Sequence, residues 1–273
     1  MARIVIFDSG VGGLSILQAL QSYPPIQQQT HQWIFCSDNA FFPYGTKQAP
    51  LLVARVIELL SLLEQQYQPD LIVLACNTAS TIALDAAREK LRTPIVGVVP
   101  AIKPAALASH SKTIGLLATP ATVMRFYTQQ LIEQFASDCK VIRLGSSELV
   151  AMAEQLLRNQ TIDQAELYKV LAPFREAIAE QQMDTVVLAC THFPLLLEHL
   201  MEQLPEITHW VDSGEAIARR VHSLLSQGEI PATTDCESMA LFTRVDASIE
   251  ALRPALTRMQ LSTVKALRLT LIE

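Results

Sequence analysis

The segment LIVLACNTAS, Leu71 to Ser80, has a counterpart later in the chain, VVLACTHFP, Val186 to Pro194. In both, an aspartate precedes an apolar run that ends Leu-Ala-Cys and is followed by polar residues. The registers agree: Asp70 recurs at Asp184 and Cys76 at Cys190, each 114 residues further on. RIVIFDS at the start is echoed more weakly by TIGLLAT, Thr113 to Thr119. A chain of 273 residues built this way is expected to fold as two similar halves.

Each copy reads as a strand and the turn after it. The runs RIVIF, WIFCS, DLIVLA, PIVGVV, TIGLLA, KVIRL, TVVLA, ITHWV and ALFT are short and β-prone, and several are uniformly apolar, as strands covered on both faces must be. Between them lie stretches with apolar spacing near 3.6, such as PLLVARVIELLSLLEQQY, PATVMRFYTQQLIEQF and GEAIARRVHSLLSQG. This alternation predicts an α/β fold: two similar Rossmann-like or flavodoxin-like lobes with mostly parallel sheets and an active-site cleft between them. Both cysteines then fall just past the C-terminal end of a buried strand, which is where open α/β sheets bind ligands. A last helix is expected over Asp246 to Met259.

Composition narrows the partner. Half the residues are hydrophobic, 18% are charged and the net charge is −6, with no dense run of Lys or Arg. That argues against nucleic acid or an acidic membrane and for a small polar metabolite. Met1 leads at once into a strand and turn, ARIVIFDSG, and the apolar runs are too short to span a bilayer, so a cytoplasmic location is expected. Five cysteines, at 36, 76, 139, 190 and 236, suit thiols in a reducing compartment better than a disulfide framework. No CxxC or HxxxH spacing predicts a metal.

After Cys76, the residues Asn77, Thr78 and Ser80 supply capping oxygens, and the apolar spacing from Ile82 onward continues as a helix. Cys76 thus belongs at a helix N-terminus, which favours thiolate. After Cys190 come Thr191, His192, Phe193 and Pro194, with His192 a candidate proton partner. One cysteine alone would read as a small core residue. Two in matched register, each followed by polar groups, read as function. Presented to opposite faces of one small ligand, two thiols suit removal of a proton from one side of a carbon and delivery to the other.

The motifs FDSGVGGLS (Phe7 to Ser15), DNAFFPYG (Asp38 to Gly45), ACNTAS (Ala75 to Ser80), GVVPA (Gly97 to Ala101), ATPAT (Ala118 to Thr122) and LACTHFP (Leu188 to Pro194) resemble, in order, those of the glutamate racemases. The resemblance implies cofactor-independent interconversion of L-glutamate and D-glutamate, with no pyridoxal phosphate, supplying D-glutamate for bacterial peptidoglycan. A homodimer is common in the family. By the same resemblance Cys76 takes the proton from D-glutamate and Cys190 from L-glutamate, Asp8 assists Cys76, and His192 assists Cys190. The substrate contacts it implies are Asp8, Ser9, Tyr44, Gly45, Asn77, Thr78, Thr191 and His192. A further assisting carboxylate in SSELVAMAE is placed at Glu154 in preference to Glu148, in a stretch that departs from the family's commoner Pro-rich version.

Other features read as structural. GVGG at Gly10 to Gly13 lacks both the dinucleotide and the P-loop spacing and is expected to be a tight strand-to-helix turn. Cys36, Cys139 and Cys236 lack a polar entourage, and His31, His110, His199, His209 and His222 are isolated. The architecture that the resemblance implies joins 1–97 with 208–273 in one lobe and makes 98–207 the other. Three rivals stay open from the residues: a racemase of another acidic amino acid such as aspartate, a redox dithiol protein, and a ligand-binding protein without turnover.

Overall fold

The structure, a computed structural model, describes residues 1–227 and 237–268. Cys236 lies outside the described residues. Ten strands are found among those described: β1 Ala2–Asp8, β2 His31–Ser37, β3 Leu71–Leu74, β4 Ile95–Gly97, β5 Thr113–Ala118, β6 Lys140–Gly145, β7 Thr185–Leu188, β8 His209–Val211, β9 Met239–Phe242 and β10 Thr263–Ala266. They form two sheets, ordered β10-β9-β2-β1-β3-β4 and β6-β5-β7-β8, and every pairing is parallel. The second sheet repeats the inner order β2-β1-β3-β4 of the first, to which β9 and β10 are added at one edge.

The repetition extends to single hydrogen bonds. Ala75 N–H donates to the Phe7 carbonyl at 2.7 Å, and Ala189 N–H donates to the Leu117 carbonyl at 2.8 Å. Asp38 N–H meets the Asp8 carbonyl at 2.9 Å, and Ser146 N–H meets the Ala118 carbonyl at 3.0 Å. β2, β3, β5 and β7 are buried along their whole length, whereas the edge strand β6 is partly exposed. Helices Ala49–Tyr67 and Asn77–Lys90 supply Leu52, Val56, Leu59, Leu63, Ala79 and Ala83 to the first core. The second core is built from β5, β7 and helices Ile102–Ala108 and Phe126–Phe135.

The chain divides into two compact units, Met1–Val98 with Gly214–Glu273, and Val99–Ser213. The return to the first unit falls at Gly214, later than the expected 208, because β8 pairs with β7: Thr185 lies opposite His209 and Val187 opposite Val211. Among the described residues no helix is long and apolar enough to cross a membrane.

Three local expectations are corrected. The helix read over PATVMRFYTQQLIEQF is two, Pro120–Val123 and Phe126–Phe135. The Thr122 carbonyl, which a continuous helix would offer to a later amide, is taken by Arg125 N–H and by the Thr128 hydroxyl at 2.7 Å. The stretch Asp246 to Met259 is likewise two short helices, Ala247–Glu250 and Arg253–Arg258, because Pro254 has no N–H to give the carbonyl four residues back. Finally, the helix after Cys76 begins at Asn77, so Asn77, Thr78 and Ser80 lie inside its first turn instead of capping it.

Candidate active site

Cys76 follows β3 by two residues and is itself the N-cap of helix Asn77–Lys90, with no side-chain capping bond. Its carbonyl accepts the Ser80 amide at 2.8 Å, the first bond of the helix. The thiol thus lies where helix N–H groups and the helix dipole favour negative charge. Its Sγ is 3.6 Å from Ser9 Oγ, and Ser9 Oγ donates to Asp8 Oδ1 at 3.1 Å. Gly10 N–H reaches the same oxygen at 3.2 Å. Asp8 and Ser9, the end of β1 and the residue after it, are buried, as are Asn77 and Thr78.

The glycine turn is there for space. A Cβ on Gly13 would lie 2.9 Å from Asp8 Cβ and 3.3 Å from Ala75 Cβ. Among the described residues no glycine has positive φ, so room for the Asp8 side chain explains this residue, and an unusual backbone does not.

Tyr44 begins the short 3-10 helix Tyr44–Thr46 and is 1% exposed. Its hydroxyl donates to Asp38 Oδ2 at 2.8 Å. Arg55 holds the same carboxylate through two bonds, at 2.9 and 2.8 Å, and the Thr243 hydroxyl donates to it at 2.8 Å. Burial first, then the Asp38 charge and hydrogen bond and the nearby Cys76 charge, push the Tyr44 phenol well above its usual pKa. The Tyr44 hydroxyl is therefore committed to the scaffold.

Cys190 follows β7 by the same two residues, but the chain then makes a turn through Thr191 and His192 into a 3-10 helix, Phe193–Leu196, with Pro194 in its first turn. The thiol Sγ is 3.7 Å from His192 Nδ1. On the other side of the ring, His192 Nε2 lies 2.9 Å from Glu154 Oε1. Glu154 sits on helix Glu148–Leu157, and its Oε2 accepts from Arg158 Nη1 at 2.5 Å. Burial by itself favours the neutral imidazole, but the hydrogen bonds and charges of Cys190 and Glu154 outweigh it and hold the His192 pKa well above the ordinary value. The chain Cys190–His192–Glu154–Arg158 can therefore take up and return a proton at the thiol.

The structure thus groups Asp8 and Ser9 with Cys76, and Thr191, His192 and Glu154 with Cys190. Glu148 is turned to the start of its own helix, where its Oε2 accepts from Ser146 Oγ at 2.8 Å. Sequence reading missed Arg158 and the Asp38–Arg55 pair; the spacing Glu154 to Arg158, four residues on one helix face, was a signal for the first. Cys36 is fully buried, and burial with the Asp38 charge drives its thiol pKa far up, so it is inert beside Cys76. Among the described residues no cluster of His, Cys, Asp and Glu could hold a metal ion.

The Asp/Glu/Hydantoin racemase family profile matches residues 12–221. A glutamate racemase from Pectobacterium atrosepticum is 44% identical over 266 residues, 97% of this chain and 91% of its own length. One from Shewanella loihica is 48% identical over 93% of this chain and 92% of its own length. The crystal structure of Escherichia coli glutamate racemase with L-glutamate and the activator UDP-MurNAc-Ala superposes with a TM-score of 0.91 at 42% identity, covering 98% of both chains. The chain belongs to the Asp/Glu/Hydantoin racemase family and, within it, to the glutamate racemases.

Proposed function

We propose that the chain interconverts L-glutamate and D-glutamate by a two-thiol mechanism in which Cys76 and Cys190 exchange the roles of base and acid. One observation carries this reading: the two cysteines occupy the same place in two sheets of the same order, and each has its own polar partner. The Cys76 thiolate takes the α-proton of D-glutamate, the electron pair passes to the α-carbon and its carboxylate, and the Cys190 thiol delivers a proton to the opposite face. The product is L-glutamate, with Cys76 as thiol and Cys190 as thiolate. L-glutamate runs the steps in reverse. Ser9 with Asp8, and His192 with Glu154, return the two sulfurs to their starting protonation states.

Both carboxylates of the substrate need donors. The Asn77 amide nitrogen is buried and has no hydrogen-bond partner within the protein, and an unpaired buried donor at a helix start suits a carboxylate. Thr78, Thr191 and backbone N–H groups complete the set, and they stabilise charge that develops on the α-carboxylate as the proton leaves. Asp8 suits the ammonium group. No cofactor is needed for these steps, and the product supplies D-glutamate for peptidoglycan. The homodimer rests on the resemblance, and light scattering tests it; the cytoplasmic setting rests on the sequence, whose apolar runs are too short to span a bilayer.

Incubating each enantiomer in deuterated water, with and without UDP-MurNAc-Ala, tests the reading. Deuterium at the α-carbon together with loss of optical activity is expected for glutamate, with aspartate far slower. No exchange from either enantiomer under any of these conditions would leave a binding or dithiol protein.

A further inference from the structure

We propose that Arg158 is a positioning residue for the Cys190 thiol: it fixes the Glu154 carboxylate so that one oxygen faces His192. The inference rests on the two-thiol reading for its effect on turnover, but its structural part stands apart from it. Glu154 divides its two oxygens, Oε1 to His192 Nε2 at 2.9 Å and Oε2 to Arg158 Nη1 at 2.5 Å. The same Nη1 donates to the Glu154 backbone carbonyl at 2.6 Å. One nitrogen thus bridges the main chain and side chain of a single residue, which restricts rotation of the carboxylate. Helix Glu148–Leu157 is itself anchored by buried Leu149, Val150, Met152 and Ala153, so the pair emerges at a fixed place.

Burial separates this pair from an ordinary surface contact. Arg219 and Glu215 have the same spacing, four residues apart, and a similar distance of 2.6 Å, but their side chains are 66% and 77% exposed. Such pairs contribute little. Arg158 and Glu154 are 15% and 14% exposed, and beyond them His192 is 3% exposed. At that depth the carboxylate cannot exchange its partner for water without cost. Among the titratable groups that meet Glu154 are Arg158, from its own helix end, and His192, with Cys190 behind it, from the turn after β7. On the adjacent helix Gln164–Val170, Lys169 pairs with Glu166.

The competing reading is that Arg158 serves only the helix end. It is the C-cap of its helix, where a cation is favourable, and Asn159 follows with φ 57°. That reading and the proposal part company at His192. If Arg158 were merely a nearby positive charge, its removal would make the imidazolium easier to form and raise the His192 titration midpoint. If Arg158 holds Glu154 in place, its removal frees the carboxylate, the imidazolium loses its hydrogen-bonded partner, and the midpoint falls.

The test is the His192 imidazole titration followed by NMR on histidine-labelled protein, in the parent, Arg158→Gln and Arg158→Lys, with thermal unfolding to confirm that each variant is folded. Arg158→Gln is expected to lower the midpoint, and Arg158→Lys, which can still bridge carbonyl and carboxylate, to restore most of it. In parallel, Arg158→Gln should lower kcat for L-glutamate roughly 10- to 100-fold, with KM little changed, as misplacement of a reacting group does. A midpoint that is unchanged or rises in folded Arg158→Gln overturns the proposal. Because the titration needs no turnover, an inactive parent enzyme would count against the two-thiol reading alone.

Discussion

Cys76 and Cys190 stand at matching points of two sheets that share one strand order, yet their surroundings differ. Behind Cys76 the partners come from the end of β1: the Ser9 hydroxyl and the Asp8 carboxylate. By the bonds that pair Phe7 with Ala75 and Leu117 with Ala189, Asp8 matches Ala118, whose side chain has no polar group, and Ser9 matches Thr119, whose hydroxyl caps helix Pro120–Val123. Cys190 draws its partners from the other direction, from His192 two residues on and from Glu154 and Arg158 on a separate helix. The residue two after Cys76 is Thr78. The scaffold therefore sets where the sulfur goes, and the proton chemistry is installed independently on each side.

The largest expected effect comes from removing either sulfur. Cys76→Ala and Cys190→Ala should each reduce racemisation to background, while thermal unfolding changes little, since each deletes one small atom beside polar partners. Each variant is expected to act on only one enantiomer of a glutamate analogue that eliminates β-chloride after loss of the α-proton. Near-parental racemisation by either variant would end the two-base comparison altogether.

His192→Asn sharpens the comparison next. Asparagine keeps some hydrogen bonding but does not titrate, and positioned acid-base groups contribute about 10² to 10⁴ in rate. The loss in kcat should be greater with L-glutamate, where Cys190 acts as base; because the equilibrium between enantiomers ties the two kcat/KM values together, the asymmetry must be read in kcat and KM separately. A stability signature accompanies it. The His192 pKa is raised in the folded state, so its pairing stabilises the fold fully below the unfolded histidine value of about 6.5 and is lost as pH rises through the folded value. Urea unfolding across that range should slope less with pH in His192→Asn than in the parent. A kcat unchanged from the parent in both directions, with an identical slope, would make His192 a packing residue.

A smaller effect is expected on the other side from Gly13→Ala. The added methyl would sit 2.9 Å from Asp8 Cβ, so Asp8 must shift, at a cost of about 1–3 kcal/mol for overpacking. With Asp8 displaced, kcat for D-glutamate, where Cys76 acts as base, should suffer more than for L-glutamate. An effect of the same size in both directions would show that the substitution disturbs the sheet as a whole and not the Cys76 partner.

Much of this was legible in the sequence because the signals were local. Short β-prone runs marked nine of the strands, several of them uniformly apolar because burial on both faces leaves no room for polar residues, and the equal spacing of Asp70–Asp184 and Cys76–Cys190 marked the two sheets. Thr263–Ala266 was missed because it is a half-exposed edge strand, TVKA, with no apolar run to mark it. The helix breaks at Met124 and near Pro254 depend on which groups capture particular carbonyls, and apolar periodicity does not encode that. In the site, residues adjacent to the cysteines were readable from the motifs. Arg158 was readable only as a partner four residues from Glu154, because its place in the site depends on a helix that returns Glu154 to a turn 38 residues away.

The aspartates of the repeat supply the smallest expected effect on chemistry and the clearest control. Asp70 and Asp184 lie at the N-terminal ends of β3 and β7, at the opposite ends of these strands from the cysteines. Asp70 Oδ2 accepts the Arg3 amide at 2.7 Å. Asp184 accepts Ser109 Oγ at 2.7 Å, His110 N–H at 2.8 Å, Ser111 N–H at 2.9 Å and Thr185 Oγ at 2.8 Å. Burial works against its charge, but these hydrogen bonds outweigh it and hold the carboxyl well below the usual range. Its stabilisation is therefore present above the unfolded aspartate value of about 3.9 and is lost as pH falls through the folded value. Asp184→Asn turns one oxygen into a donor facing donors, and should cost about 1–3 kcal/mol at neutral pH while leaving kcat and KM in both directions unchanged. Denaturant unfolding at pH 7 and pH 3 should show the gap between parent and variant narrowing at the lower pH. A change in kcat without a change in stability would place Asp184 in the chemistry, and strand anchoring would then no longer account for half of the repeat.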